Sequence, residues 1–219
     1  VSHGDGVYRS SDGGQTWQHV LPLRNALVAK IEIDPRNPNT VLVGVIGDPF
    51  ADSTDRGMYR TSDGGKSWKK TLYVDARTGV SDMDVSRAHP DLVYAGMWTY
   101  RRTGWSSTSG STQGGLYVSN DFGATWQRVH GSGLPSGRTG RIAVAIAPSN
   151  DRRIFALIES KQGLLWRSDD GASWQMVSDN TLIDERPFYY THVYVDPTDE
   201  NHVWTLSVHV AASRDGGKT

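Results

Sequence analysis

Two carboxylates stand two residues apart in the segment VSDMDV, at Asp82 and Asp84. Apolar residues alternate with them, so the segment is predicted to be a β-strand that carries both carboxylates on one face. Carboxylates this close can shift each other's pKa values and divide the roles of general acid and general base between them. With His192, which occupies the equivalent place in a later strand, they form the predicted catalytic group.

The same two strand positions recur along the chain. They hold Lys30 and Glu32, Asp82 and Asp84, Ala143 and Ala145, and His192 and Tyr194. The mixture of basic and acidic residues supports a second interpretation, in which these side chains line a hydrated axis and neutralise one another without any catalytic role. The hydrated axis is the default interpretation. Both interpretations place the charged groups close together.

Aromatic and arginine residues concentrate in three segments that interrupt the alternating pattern, GDPFADSTDR (47–56), WTYRRTGW (98–105) and DERPFYY (184–190). We call these segments the rim loops. Aromatic rings beside carboxylates and arginines suit recognition of a sugar or an extended peptide, through stacking and charge-assisted hydrogen bonds. The predicted ligand-binding residues are Asp55, Arg56, Trp98, Tyr100, Arg101, Arg102, Trp105, Arg141, Arg186, Tyr189 and Tyr190. The alternative is that each belongs to a solvated loop, with the tryptophans covering a sheet edge.

The elements that would position both groups are repeats. The motif Ser/Thr-x-Asp-x-Gly-x-Ser/Thr-Trp occurs as SSDGGQTW, TSDGGKSW and SNDFGATW, which end at Trp17, Trp68 and Trp126. A copy one residue shorter ends at Trp174, and a fifth copy at 213–219 stops before its tryptophan. Asp and Ser side chains cap nearby backbone N–H groups in such a motif, and glycine takes the positive φ that a tight corner needs. Each copy is therefore predicted to close a hairpin.

A second repeat alternates with the first. The segments IEIDPRNPNTVLVGV, MDVSRAHPDLVYAGM, VAIAPSNDRRIFALI and VYVDPTDENHVWTLS each read as a strand, a turn and another strand. Each unit thus has four predicted strands, A to D, with the Asp motif between C and D. The period of about 50 residues is typical of four-stranded propeller blades, and no window shows sustained helical periodicity. The predicted fold is an all-β propeller of four-stranded antiparallel blades.

The repeats resemble the Asp-box, or BNR, repeats of bacterial relatives of the sortilin N-terminal (Vps10-like) propeller, many of which are labelled glycosyl hydrolases. The resemblance is carried by GVYRSSDGGQTW, RGMYRTSDGGKSWKKTLYVDARTGVSDMDV and RPFYYTHVYVDP. Residues 1–219 would form one propeller segment of about four blades. Because the segment starts on a strand C and ends within a C–D turn, we expect an arc of a larger propeller, completed by the remaining blades of a parent chain.

The resemblance implies a secreted, periplasmic or cell-surface protein, although no signal segment is recognised. The first functional hypothesis is a scaffold that binds a glycan or an extended peptide through the rim loops. The alternative is a glycoside hydrolase that acts on a polysaccharide through carboxylates at the axis or the rim. A sialidase is not expected, because Arg141 and Ile142 are followed by Ala143 instead of the proline of the sialidase signature, and they lie in a later blade.

Composition narrows the expected partners. The 23 basic and 24 acidic residues give a net charge of −1, which provides no surplus of positive charge for binding nucleic acid. No apolar run approaches the roughly 20 residues that span a bilayer. The chain has no cysteine, and its seven histidines are scattered without metal-ligand spacing. We therefore expect no metal site, no cofactor, no nucleic-acid partner and no membrane span.

Overall fold

The computed structural model describes residues 4–130 and 133–219. Within them, all regular structure is β-strand apart from one short 3-10 helix, so the all-β prediction is confirmed. The strands are β1 (Gly4–Arg9), β2 (Gln18–Ile33), β3 (Val41–Gly47), β4 (Gly57–Thr61), β5 (Lys69–Leu72), β6 (Thr78–Val85), β7 (Val93–Arg102), β8 (Ser107–Ser109), β9 (Gly115–Ser119), β10 (Gln127–Arg128), β11 (Ile142–Ile146), β12 (Ile154–Ile158), β13 (Leu165–Ser168), β14 (Gln175–Ser178), β15 (His192–Val195), β16 (Val203–Leu206) and β17 (Val210–Ser213). The 3-10 helix spans Thr181–Ile183. No helix in the described residues is long and apolar enough to cross a membrane.

The strands form four antiparallel sheets that follow one another along the chain. Their strand orders are β1-β2-β3-β4-β5, then β10-β9-β7-β6 with β8 added beside β7, then β11-β12-β13-β14, and finally β15-β16-β17. Successive strands of a sheet are joined by short turns, as expected for a meander. One strand from each sheet contacts its counterpart in the next sheet, and these inner strands are the second half of β2, then β6, β11 and β15.

Two elements differ from the predicted scheme. A strand D and a strand A were expected to be separate at the start of the chain, but β2 runs through both, pairing first with β1 and then with β3. Asn25 provides the bend with a φ of 53°, a conformation that asparagine tolerates, so no loop is needed. The loop predicted after Trp98 is partly a hairpin, because β7 continues to Arg102 and pairs with β8.

Apolar side chains fill the spaces between consecutive sheets. Strand β11, with the sequence IAVAI, is apolar throughout because both of its faces are covered. Ile142, Val144 and Ile146 pack toward the second sheet, and Ala143 and Ala145 pack toward the fourth. A strand with both faces covered reads as a continuous apolar run. The strands also approach closely, since a Cβ on Gly96 of β7 would lie 2.7 Å from the Cβ of Ile142. Glycine at position 96 therefore permits this contact.

The Asp motifs form dense sets of hydrogen bonds at the hairpin corners. In the corner between β9 and β10, the Ser119 hydroxyl donates to Asp121 at 2.7 Å and accepts from the Gly123 N–H at 2.8 Å. Asp121 also accepts from the N–H and the hydroxyl of Thr125, at 2.8 and 2.6 Å. Gly123 has a φ of 69°, which a side chain would disfavour. The side chains thereby satisfy backbone groups that the turn leaves unpaired.

Arginines of earlier strands bond three of the corners. Arg9 donates to the Gly64 carbonyl at 2.8 Å, Arg60 to the Phe122 carbonyl at 3.0 Å, and Arg167 to the Gly216 carbonyl at 3.3 Å. The equivalent position in the second sheet is Val118, and the motif that it would reach is the copy that is one residue short. There the Tyr94 hydroxyl bonds the Gly171 carbonyl at 3.4 Å instead. The missing arginine and the shortened motif thus occur together.

We predict that Ser119→Ala destabilises the protein by about 1–3 kcal/mol, because it leaves the buried N–H of Gly123 unpaired. Urea denaturation would measure the change. Asn120→Ala is the matched control, since Asn120 is exposed in the same corner, and it should change the free energy of unfolding by less than about 0.5 kcal/mol. Equal effects of the two substitutions would contradict the importance of the serine contacts.

Candidate functional site

The four inner strands surround a cavity of about 700 Å³, which we call the axial cavity. Its charged and titratable lining includes Lys30, Glu32, Asp82, Asp84, Arg141 and His192. The structure therefore brings the three predicted catalytic residues to one cavity, although the sequence separates His192 from the aspartates by more than 100 residues. Their catalytic role stays a prediction.

One oxygen of each aspartate has a structural partner. Strand β11 is the edge of the third sheet, and an edge strand leaves backbone groups unpaired. Asp82 Oδ2 accepts the N–H of Val144 at 3.1 Å, and Asp84 Oδ2 accepts the N–H of Ile146 at 2.7 Å. The two carboxylates of β6 thus supply acceptors for the edge of the neighbouring sheet.

The other oxygens lie beside Lys30. Its Nζ is 3.6 Å from Asp82 Oδ1, 4.0 Å from Asp84 Oδ1 and 3.5 Å from Glu32 Oε1. Burial alone would favour the neutral amine, but the three carboxylates outweigh it and raise the pKa of Lys30. The lysine therefore stays charged and offsets part of the negative charge of the cavity.

Burial raises the pKa of Asp84 to about 6, although Lys30 and the N–H of Ile146 both act to lower it. Asp84 is thus poised to hold or release a proton near neutral pH, which suits a general acid. Burial also lowers the pKa of His192, and Arg141 and Lys30 act in the same direction. His192 is accordingly neutral at physiological pH and can both donate and accept a hydrogen bond.

Three of the predicted ligand-binding residues are buried in the structure. Arg56 is fully buried and donates to the carbonyls of Ala76 at 2.8 Å, Ile46 at 2.5 Å and Tyr100 at 3.2 Å, so it ties loop backbones together. Trp98 is 2% exposed, stacks on Tyr100 with ring centroids 4.3 Å apart, and donates to Ser109. Because these side chains are buried and contact the protein itself, Arg56, Trp98 and Tyr100 support the rim instead of presenting a surface to a ligand.

Other predicted ligand-binding residues are accessible. Trp105 is 91% exposed, and Tyr189, Tyr190 and Arg186 are also exposed. Arg102 lies over the Tyr189 ring at 6.0 Å and donates to its hydroxyl at 3.3 Å, so two rim loops that are distant in sequence meet there.

Two further predicted residues are only partly exposed and have partners at the rim. Arg101 lies 3.4 Å from Asp52, and the Asp55 N–H bonds Ser53 at 3.1 Å. The Arg101 side chain and the Asp55 backbone therefore brace the loop 47–56.

Arg141 lies between the axial cavity and the rim. Its guanidinium is 5.4 Å from the Trp98 ring, and Nη1 donates to the Pro187 carbonyl at 3.2 Å. Its backbone N–H donates to Glu159 Oε2 at 3.0 Å, and the same oxygen accepts from the Ser109 hydroxyl. Arg141 therefore lines the axial cavity and also contacts residues of two rim loops, Trp98 and Pro187.

Two acidic residues near Arg141 were not predicted as site residues: Glu159 was missed altogether, and Asp184 was only placed in a rim loop with its neighbours. Glu159 follows the apolar strand β12, and Asp184 precedes two exposed charged residues, so neither stands out by type or spacing. Asp184 is only 7% exposed, and burial raises its pKa to about 7 despite a hydrogen bond from Thr191 and the charge of Arg141. The distinction between Asp184 and its neighbour Glu185 depends on burial, which the sequence alone did not reveal.

The described residues contain no group of three or more metal-ligating side chains placed to hold an ion.

Residues 5–133, more than half of the chain, match the model of the Sortilin-Vps10 family, described as sortilin, neurotensin receptor 3. The chain belongs to this family. The predicted resemblance to sortilin-like BNR-repeat propellers is therefore confirmed.

Curated relatives of this Sortilin-Vps10 chain include two enzymes named xyloglucanase. The Paenibacillus sp. enzyme is 30% identical over 133 residues, which is 56% of this chain and 12% of the relative. The Hypocrea jecorina enzyme is 25% identical over 146 residues, which is 57% of this chain and 16% of the relative. The chain thus spans less than a fifth of the length of these relatives.

Solved structures show the same fold. The GH74 xyloglucanase from Xanthomonas campestris gives a TM-score of 0.69 at 19% identity, covering 98% of this chain and 34% of that enzyme. The GH74 enzyme from Niastella koreensis gives 0.70 at 17% identity, covering 96% and 33%. The sheets of the Sortilin-Vps10 chain are therefore arranged as in the propellers of glycoside hydrolases.

We predict that Asp84→Asn reduces the pH dependence of stability. The folded pKa of Asp84 is above the unfolded value, so the folded state retains the proton longer and stability falls as pH rises from about 4 to about 6. The amide cannot ionise but can still accept the Ile146 N–H. At pH 7.5 the variant should therefore be more stable than the parent, by on the order of 1–2 kcal/mol.

Urea denaturation at pH 5 and pH 7.5 would measure this difference. Asp179→Asn serves as the control, because Asp179 is an exposed aspartate and its amide should leave the pH dependence unchanged. The interpretation is wrong if Asp84→Asn keeps the full pH dependence of the parent.

Proposed function

We propose that this chain is part of a glycoside hydrolase that acts on a polysaccharide, with its acid–base pair in the axial cavity. The observation that carries the proposal is the difference between Asp82 and Asp84, two neighbouring carboxyls in unequal environments. Asp84 has its pKa raised to about 6, whereas Asp82 Oδ1 lies closer to Lys30. Two curated relatives named xyloglucanase support a glucan with xylose branches as the first substrate to test.

The geometry suggests how the roles divide. The Cα atoms of residues i and i+2 of a strand are about 6–7 Å apart, and the Oδ1 atoms of Asp82 and Asp84 lie 3.6 and 4.0 Å from the same Lys30 Nζ, so we assign the pair to the wider carboxyl spacing of inverting glycosidases. Asp84 would protonate the glycosidic oxygen, and Asp82, as the carboxylate, would take a proton from the attacking water. Each aspartate keeps one oxygen on the edge of β11, which fixes its orientation. Neutral His192 would bond a sugar hydroxyl.

We also propose that the four sheets are blades of a larger propeller. The third sheet, β11 to β14, is a four-stranded meander, and we interpret it and its neighbours as blades with Asp-box turns between their third and fourth strands. Apolar side chains are exposed at both ends of the row of sheets, including Ile33 at 57% and Val210 at 72%. Further blades packed on these ends would bury such residues. We also place the protein outside the cytoplasm, where polysaccharide substrates occur.

A second candidate function is supported by the exposed rings of the rim loops. Trp105, Tyr189 and Tyr190 are accessible, and Arg102 and Arg186 lie in the same loops. Exposed aromatics beside arginines suit binding of a glycan or an extended peptide. In this case the protein would be a binding scaffold, with or without hydrolysis at the axis.

We predict that the full-length protein releases new reducing ends from xyloglucan or from another glycan in a panel of plant and microbial polysaccharides. Asp82→Asn and Asp84→Asn should each lower kcat by about 10²–10⁴. Glu32→Gln is the matched control, because Glu32 lines the same cavity without a role in proton transfer and should have a much smaller effect. No product from any glycan at high protein concentration would reject the hydrolase.

For the rim, we predict that Tyr189→Ala combined with Tyr190→Ala weakens glycan binding about tenfold, as the loss of roughly 1.4 kcal/mol of stacking would do. Affinity electrophoresis in gels containing xyloglucan would measure the change. Tyr8→Ala removes an exposed tyrosine of β1, away from the rim loops, and should leave binding unchanged. Unchanged binding by the double variant would assign recognition to another surface.

A further inference from the structure

Two complementary groups near the rim are buried without a hydrogen-bond partner. The buried side-chain atoms without a partner in the described residues include Asp184 Oδ2, which can accept, and Arg141 Nε, which can donate. An unpaired buried polar atom is costly, and native proteins contain few of them. The two side chains also act on each other electrostatically, so they lie in one neighbourhood. Their pairing would satisfy both.

Each side chain contacts the segment 184–191, Asp184 through the Thr191 hydroxyl and Arg141 through the Pro187 carbonyl. The Thr191 hydroxyl lies 2.8 Å from Asp184 Oδ1 and 2.9 Å from the Pro187 carbonyl. Arg141 Nη1 donates to the same carbonyl at 3.2 Å. Beyond Pro187 come three rings in succession, Phe188, Tyr189 and Tyr190, with centroids 4.4 and 6.0 Å apart. Arg141 is therefore one of the groups that hold the start of the aromatic segment.

The charged groups around Asp184 come from several elements. Arg141 precedes β11, and Glu159 follows β12 and acts on Asp184 as a like charge. On the other side, Glu185 pairs with His209 at 2.7 Å, and its N–H bonds Ser207 at 2.9 Å. At the tip of the segment, Arg102 reaches Tyr189. Among these groups, Arg141 is the cation that an ionised Asp184 can engage.

We propose that Asp184 is a proton-operated latch for the aromatic segment Pro187–Tyr190. While Asp184 is protonated, Arg141 holds the Pro187 carbonyl and the segment is closed. When Asp184 loses its proton, the carboxylate draws the guanidinium into a buried ion pair and the segment is released. A carboxylate is a stronger acceptor for arginine than a neutral carbonyl, and a buried carboxylate requires such a partner.

The burial of Asp184 sets the pH range of the latch. It raises the pKa of this carboxyl to about 7, so the change falls near neutral pH. The aromatic segment carries two of the accessible rim tyrosines, which makes ligand access the process that the latch would regulate. The latch itself does not depend on hydrolysis or on glycan binding, and its test uses neither.

Hydrogen exchange followed by mass spectrometry tests the proposal. After correction for the intrinsic effect of pH, peptides that cover 185–190 should exchange at least fivefold faster at pH 8 than at pH 6. Asp184→Asn retains an acceptor for Thr191 but cannot ionise, so the segment should stay protected at both pH values. His209→Gln removes the neighbouring titratable group and should keep the pH dependence of the parent.

Equal corrected exchange at pH 6 and pH 8 in the parent would overturn the proposal, as would a pH dependence that persists in Asp184→Asn. A carboxyl ¹³C titration provides a second readout on the parent, which does not require any variant to fold. A midpoint for Asp184 near 7 supports the latch, whereas a midpoint below 5 means that the ion pair with Arg141 is permanent and rejects it.

Discussion

The second and third sheets are held together by side chains of β6 that bond the free edge of β11. A sheet that ends on an inner strand leaves N–H and C=O groups unpaired at the axis, where few partners other than its neighbours are available. Asp82 and Asp84 supply acceptors to β11, and Ser81 donates to the Ile142 carbonyl at 2.7 Å. The bonds cross from one sheet to the next, so they fix the relative positions of the sheets as well as satisfying the edge.

This structural duty does not exclude an acid–base role. Each aspartate gives one oxygen to the strand edge and turns the other toward Lys30 and the cavity. The burial that makes an edge acceptor valuable also raises the pKa of Asp84. The role at the strand edge and the proposed catalytic role therefore use different oxygens of the same side chains. Asparagine preserves the first duty and removes the second, which is why it separates them.

Local patterns were sufficient to predict the lining of the axis and most of the strands, but not the continuity of β2 or the extra strand β8. Alternation in VSDMDV put Asp82 and Asp84 on one face, and the repeat placed Lys30 and His192 beside them. The rim was harder to predict, because exposure there depends on how far β7 extends and where β8 folds back. Trp98 and Trp105 look alike in sequence, yet the first is buried and the second lies in solvent. Asp184 differs from its exposed neighbour Glu185 because it is buried, and burial depends on the three-dimensional surroundings of a residue.

Arg141 connects these two regions physically. It borders the axial cavity, where its charge helps to lower the pKa of His192, and it holds the Pro187 carbonyl at the rim. If the Arg141 guanidinium moves to a new partner at the rim, its distance from the axial cavity changes. The electrostatic potential at His192 then changes as well. If ionised Asp184 neutralises Arg141, less positive charge acts on His192, and its pKa rises toward the ordinary value. Protonation at the rim and at the axis would then be coupled through one buried cation.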